Sequence, residues 1–277
     1  MSLDQDSIVV ITGAGSGIGK ALAHRTAKAG IRGLVLSDID ATRLDDVLKS
    51  LEASNTKTVG VSGDVSKLRD VEGVRDLALE TFGTATHIFN NAGVGLVGRT
   101  SEVSFEDMEW LMGINFWGTV YGSKIFLELF QKQGFGHITN ISSVFGIISP
   151  PGQSTYCASK FAVRGFTESL RHELEDTDIY VTCVHPGGVR TNIAQDAKKG
   201  EDAPEEDKER APEIFRKIAQ TTPEKAADII VKGVMRKQPR VLIGSDAMQI
   251  SAVQRFFPTR YFEILDRLSG GLLSKFR

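Results

Sequence analysis

Ser7-Ile8-Val9-Val10-Ile11-Thr12-Gly13-Ala14-Gly15-Ser16-Gly17-Ile18-Gly19 runs from an unbroken apolar stretch straight into a glycine-rich turn. An apolar run rich in Val and Ile, without polar alternation, is how a strand buried on both faces reads. The glycines let the backbone turn tightly and approach a diphosphate. A helix starting there offers free N–H groups and its positive dipole end to the anion. Gly13, Gly15, Ser16, Gly17, Ile18 and Gly19 are therefore candidate dinucleotide contacts. A glycine triplet alone marks many ordinary turns, so the context matters. Asp38 stands nineteen residues after Gly19, at the end of the next apolar run. A carboxylate there can accept both hydroxyls of an adenosine ribose, although capping the helix that begins near Ala41 is also open to it. Asp64, followed by Val65 beyond the third run, could hydrogen-bond an adenine amine or simply hold a turn.

The same rhythm continues outward. Short apolar runs at 8–12, 34–37, 59–63, 87–90, 137–141, 180–184 and 241–243 alternate with helical patterns near 17–29, 41–53, 67–82, 105–132, 155–175 and 223–235. This alternation predicts one α/β domain spanning 1–277, a doubly wound Rossmann-type seven-stranded parallel sheet with helices on both faces. Residues 191–222 interrupt the rhythm with a long, charged stretch containing Pro204 and Pro212. A connection of that length in a compact domain is usually functional or disordered; a partly helical lid over the site is expected, with a solvated charged excursion as the alternative.

Composition narrows the class. The chain has 277 residues, 41% hydrophobic and 25% charged, enough to bury a sizeable core. Lys+Arg total 33 and Asp+Glu 35, so no basic excess points to nucleic acid. Cys157 and Cys183 form no CxxC pair, and no His/Cys spacing suggests a metal site. The first residues lack a signal-peptide pattern and no apolar run is long enough to span a membrane, so a cytoplasmic location is expected.

Tyr156-Cys157-Ala158-Ser159-Lys160 opens an amphipathic pattern in which the phenol and the ammonium, four residues apart, share a helix face. Free tyrosine has a pKa of about 10, and a nearby cation favours the phenolate. Such a pair can exchange a proton with an alcohol or a developing alkoxide.

With these residues in view, the chain resembles the short-chain dehydrogenase/reductase family over about residues 7–245. Thr12–Gly19 is similar to its TGxxxGxG turn, and Asn90-Asn91-Ala92-Gly93 to its NNAG motif. Asn115 and Ser143 match its catalytic asparagine and serine, Ser143 standing thirteen residues before Tyr156. Tyr156 and Lys160 match YxxxK, and Pro186, Gly187, Val189 and Thr191 match PGxVxT. The resemblance implies that Tyr156 is the acid/base, that Lys160 lowers its pKa and binds the nicotinamide ribose, and that Ser143 bonds the substrate oxygen. It implies that Asn115 holds a water relay, that Thr191 and Val189 grip the carboxamide, and that Asn91, Ala92 and Gly93 line the nicotinamide-ribose stretch. Asn90 could instead tie the sheet together, and His185 is read as structural. The family's usual places for a cation binding a 2′-phosphate hold Ser16 and Ile39, so Asp38 favours NAD over NADP, with Arg43 the nearest cation.

Val94-Gly95-Leu96 and Val144-Phe145-Gly146-Ile147-Ile148 follow the two site motifs and are nearly all apolar. An uncharged, fairly apolar secondary alcohol or ketone is the expected substrate. A catalytically silent dinucleotide sensor is the alternative, although such a protein would be expected to lose Ser143, Tyr156 or Lys160. The long helices imply self-association as a homodimer or homotetramer. Residues 246–277 read as a C-terminal amphipathic extension, with one helix over 248–275 whose basic face could touch a membrane surface, a neighbouring subunit or the pocket.

Overall fold

The computed structural model describes residues 3–204, 215–216 and 218–271. Strands β1 (Ile8–Thr12), β2 (Gly33–Asp38), β3 (Lys57–Ser62), β4 (His87–Asn90), β6 (Phe135–Ile141), β7 (Asp178–Pro186) and β9 (Arg240–Ile243) form a seven-stranded sheet. Its order is β3-β2-β1-β4-β6-β7-β9, and every pairing is parallel. The order reverses at β1 and β4, and a crevice opens beyond their carboxyl ends, where open α/β sheets bind ligands.

The unbroken apolar runs have the predicted cause. Along β1, Val9 and Ile11 face the cluster of α1 (Gly17–Ala27), α2 (Ala41–Leu51) and α7 (Pro223–Met235). Ile8 and Val10 face the cluster of α3 (Leu68–Phe82), α5 (Gly118–Gln133) and α6 (Ser154–Glu173). Each strand side therefore meets a layer of helices, and both must be apolar. Local chemistry sets the helix ends. Asp40 caps α2 by accepting N–H bonds from Thr42 and Arg43, and Thr222 caps α7 ahead of Pro223. Gly83 and Gly134 end α3 and α5 in the left-handed conformation.

Three elements depart from the sequence expectation. The helix predicted over 105–132 is α4 (Phe105–Met112), a π-helical turn (Gly113–Trp117) and α5. A π turn is one inserted residue within an otherwise helical ladder, too local a change for the periodicity of so long an apolar pattern to reveal. Within the region read as a lid, Asn192–Ala194 is a short 3-10 turn, and β8 (Lys198–Lys199) pairs with β5 (Leu96–Val97). Residues 205–214 and 217 of that region lie outside the described residues. The single C-terminal helix is instead two, α8 (Ser245–Phe256) and α9 (Tyr261–Leu268). Pro258 disfavours helical backbone at Phe257 and ends the first. Leu265 and Tyr261 pack with Ile147 and Ile148, and the Ser149 N–H donates to the Tyr261 hydroxyl at 3.1 Å. Residues 272–277 of the expected extension, Lys275 and Arg277 among them, lie outside the described residues. Among the described residues, no helix is long and apolar enough to cross a membrane.

Candidate active site

The glycine turn bends where β1 meets α1. Gly13 and Gly17 adopt positive φ, +64° and +51°, which an L side chain rarely enters. A Cβ on Gly19 would run into the Gly13 carbonyl oxygen, so that position admits glycine alone without backbone movement. The Thr12 hydroxyl accepts N–H bonds from Asn91 and Ala92 at 3.1 and 3.2 Å. The Asn91 amide returns two bonds, to the carbonyls of Thr12 and Gly13, each 3.0 Å. The NNAG stretch thus clamps the turn, a job that falls to the Asn91 side chain as well as to its position on the crevice wall. Asn90 takes the structural role: its amide donates to Asn140 at 2.8 Å and Ser123 at 3.1 Å, tying β4 to β6 and α5.

Asp38 does not cap α2. Its carboxylate instead accepts the Gly15 N–H at 2.8 Å and the Asp40 N–H at 3.0 Å, which fixes it at the crevice rim. Asp64 takes the turn role. It accepts bonds from the Ser66 amide and hydroxyl in a turn, and it lines the crevice.

That crevice, about 380 Å³, brings the separate motifs together. Gly13, Ser16, Gly17, Ile18 and Asp38 line it, as do Asn91, Ala92, Gly93, Asp64 and Val65. Ser143, Tyr156, Lys160, Pro186, Val189 and Thr191 complete the wall, with Thr191 against the glycine turn, its Cγ2 3.0 Å from where a Gly17 Cβ would lie. Gly15, Gly19, Gly187 and Asn115 are not on its wall. Gly15 and Gly19 act through the turn. A Cβ on Gly187 would strike the Asp246 carboxylate, which accepts the Gly188 N–H at 2.7 Å and so holds the Pro186–Val189 turn. Asp246 sits far along the chain in α8, with no motif to announce it. Asn115 is buried in the π-helical turn, its amide exchanging bonds with the Val94 backbone at 2.8 and 3.0 Å. Ile39, Arg43, Trp110, Ile114, Asn192, Ile193, Asp196 and Phe215 also line the crevice, brought there by tertiary folding.

At the chemical end, Gly146 lets the loop after β6 lie against α6, where a Cβ would overlap the Ser142 hydroxyl. The Ser142 hydroxyl donates to the Lys160 carbonyl at 2.8 Å, and the Lys160 ammonium donates to the Ile141 carbonyl at 3.1 Å. The ammonium lies 5.7 Å from the Tyr156 ring centre, and Phe145 meets that ring edge-on. Burial drives both ionisations toward the neutral form. Tyr156 is pushed up to about 12 by desolvation, with the Ser143 side chain pulling the other way. Lys160 is pushed down to about 8, also by desolvation. Desolvation thus acts against the lowering expected from a neighbouring ammonium. His185 is buried and held well below the usual range, about 4, by desolvation. Neutral, it donates from Nδ1 to the Ser143 carbonyl at 3.0 Å, bracing the serine from behind. Among the described residues, no group of three or more His, Cys, Asp or Glu could hold a metal ion.

A hydroxyl, a half-buried phenol and an ammonium, on one crevice with a glycine cradle and a fixed carboxylate, are the parts of an oxidoreductase built on a dinucleotide-binding sheet. The comparisons agree. The family model described as short chain dehydrogenase matches residues 7–202, and the chain belongs to the short-chain dehydrogenase family. SadH of Mycobacterium tuberculosis, named as an oxidoreductase, is 39% identical over all of this chain and 98% of its own length. A short-chain dehydrogenase/reductase from Burkholderia phymatum, solved in complex with NAD, is 31% identical with a TM-score of 0.85, covering 92% of this chain and 95% of that one. Levodione reductase is 27% identical with a TM-score of 0.78, covering 90% and 99%.

Proposed function

We propose that this oxidoreductase moves hydride between NAD(H) and an uncharged, fairly apolar secondary alcohol or ketone. The observation that carries the reading is the convergence of Ser143, Tyr156 and Lys160 on the crevice that Asp38 and the glycine turn also line. The residues fit a dinucleotide: the glycine cradle leaves no room for a Cβ, and the oriented Asp38 carboxylate offers acceptors to ribose hydroxyls. Ser16 to Gly19, at the start of α1, would hold the diphosphate, and Asp64 and Val65 the adenine. Asn91, Ala92, Gly93 and Lys160 would hold the nicotinamide ribose, and Pro186, Gly187, Val189 and Thr191 the carboxamide. When bound, the nicotinamide supplies or accepts the hydride.

In carbonyl reduction the Ser143 hydroxyl donates to the substrate oxygen, where negative charge develops. Tyr156, a neutral phenol at physiological pH, passes its proton to that oxygen as it becomes an alcohol. The Lys160 cation stabilises the phenolate that this leaves. In the opposite direction the same atoms run in reverse. The substrate end supports the uncharged class. Val94, Trp110, Ile114, Ile193 and Phe215 line it, and the two cations on the described crevice wall are Lys160 and Arg43, the second on the adenosine side. Asp38 supports NAD over NADP, since a carboxylate repels a 2′-phosphate. The relative solved with NAD and the one named levodione reductase are in keeping with both halves of the reading.

The test is NADH fluorescence against a panel of apolar ketones and their carboxylated analogues. Decay with the apolar set is expected. Absence of turnover with every carbonyl would leave the silent sensor instead. Two buried, unpaired cysteines suit the reducing cytoplasm. The exposed Trp117 and Phe161, on the long helical faces, support a homodimer or homotetramer, and light scattering that finds a monomer at micromolar concentration would contradict it.

A further inference from the structure

Asp38 is not alone at the adenosine end. Arg43, the cation nearest that rim, lines the crevice, with its guanidinium gripped from two directions. Asp40, at the cap of its own helix, takes Nε at 3.2 Å. Asp196, from the segment that crosses back over the crevice, takes Nη1 at 3.2 Å. The two carboxylates come from positions far apart in the chain. Asp40 belongs to the β2–α2 turn, whereas Asp196 is set by the backbone of the strap, its N–H bonded to the Asn192 carbonyl at 2.8 Å. The strap is held on its other side too. Lys198 donates to Asp107 at 2.7 Å, lies 4.2 Å from the Trp110 ring centre, and pairs through β8 with β5. Asp196 is therefore presented to Arg43 by an element anchored independently of the adenosine rim.

The chemistry of that arrangement bears on which dinucleotide enters. A guanidinium is the side chain best suited to grip a phosphate, by two parallel N–H bonds. A Cβ on Gly15 would lie within 3.0 Å of both the Asp38 carboxylate and the Arg43 Cβ, so the 2′ substituent of a ribose bound by Asp38 would come within reach of Arg43. Without Asp196, Arg43 would keep only the Asp40 pair at Nε and could offer its Nη atoms to a 2′-phosphate, offsetting the repulsion from Asp38. With Asp196 attached, one face of the fork is used and its charge is countered.

We propose that Asp196 is a specificity-determining residue for the dinucleotide: by occupying Arg43, the cation beside Asp38 on the described crevice wall, it withholds that charge from a 2′-phosphate and sharpens discrimination in favour of NADH. It acts through Arg43, so it is a positioning residue and not a catalytic one. The proposal rests on the reading that the adenosine ribose binds at Asp38.

The experiment is a double-mutant cycle on the full-length protein, with Asp196→Asn, Arg43→Ala and the pair. Dissociation constants for NADH and NADPH are measured by titration calorimetry, and kcat/KM for each is measured with one ketone. Asp196→Asn keeps the size and removes the charge. It is expected to shift the NADPH-to-NADH affinity ratio about fivefold toward NADPH at low salt, less at high salt, as expected for a partly exposed charge. The shift should vanish in the Arg43→Ala background. An unchanged ratio, or the same shift without Arg43, overturns the proposal. Asp196→Ser, which removes the carboxylate differently, must give a shift of the same sign, and failure to do so also counts against it. The underlying reading fails separately: a wild-type protein that prefers NADPH contradicts the role of Asp38, whereas the cycle is judged on the change between variants.

Discussion

Lys160 shows how a buried charge ties chemistry to pH. Its ammonium has one described protein acceptor, the Ile141 carbonyl, and desolvation lowers its pKa to about 8 from 10.5. A lysine with a lowered pKa is charged below that value and neutral above it. Carbonyl reduction needs the cation to stabilise the phenolate left on Tyr156, so kcat for reduction should fall as pH rises through about 8. A stopped-flow pH profile of NADH oxidation checks this; a flat profile between pH 7 and 9.5 would remove Lys160 from the proton path. At this scale the sequence was informative about which residues matter and silent about their ionisation. Tyr156 and Lys160 share a helix face by spacing alone, but burial by Phe145 and the loop after β6 depends on the whole fold. Thr12, Asp196 and Asp246 were overlooked for related reasons. Thr12 lies inside the quoted motif as its first letter, whereas the other two act on residues reached only after folding.

Among the elements, the first strand–turn–helix carries the tightest steric demand. Gly19→Ala would drive its Cβ into the Gly13 carbonyl and bring it close to the Asn91 amide. Overpacking of this kind costs about 1–3 kcal/mol, and the displaced turn should weaken NADH binding at least about tenfold, equivalent to about 1.4 kcal/mol. Gly73 is the control. It lies within α3 with nothing near an added Cβ, so Gly73→Ala should raise stability by about 0.5–1 kcal/mol through helix propensity. Thermal melts and calorimetry read both; two variants behaving alike would mean that the packing argument is wrong. Strands and helices were readable because apolar runs buried on both faces differ so plainly from amphipathic helices. The π-helical turn at Asn115, the β5–β8 pair and the break at Pro258 were not. The first is a one-residue shift inside a long helical pattern, the second is too short to form a pattern, and the third was masked by the apolar residues that recur from Phe256 to Leu265 across the proline.

Over the whole molecule, acid stability follows from histidines stored without charge. His87 and His137 are buried in the central sheet with rings stacked 5.8 Å apart, and His185 is buried behind Ser143. Desolvation lowers His87 to about 3 and His185 to about 4 from 6.5, and lowers His137 well below 6.5. Below pH 6.5 the unfolded chain binds protons that the folded chain refuses, so stability falls with pH, by up to about 1.4 kcal/mol per unit for each such histidine. The loss should begin near pH 6.5 and continue toward 4, and His137→Gln should flatten it. Denaturant midpoints constant from pH 7 to 5 would contradict the account. The central claim joins the crevice to hydride chemistry, and isotope transfer tests it most directly. NADH carrying deuterium at both C4 positions of the nicotinamide is offered with an apolar ketone, and the product alcohol is analysed by mass spectrometry and NMR. The account predicts one deuterium on the carbinol carbon from the wild-type protein, and from Tyr156→Phe, which lacks the proton carrier, a rate at least about 100-fold lower with NADH binding retained. Product without deuterium at that carbon, or undiminished transfer by Tyr156→Phe, would contradict it.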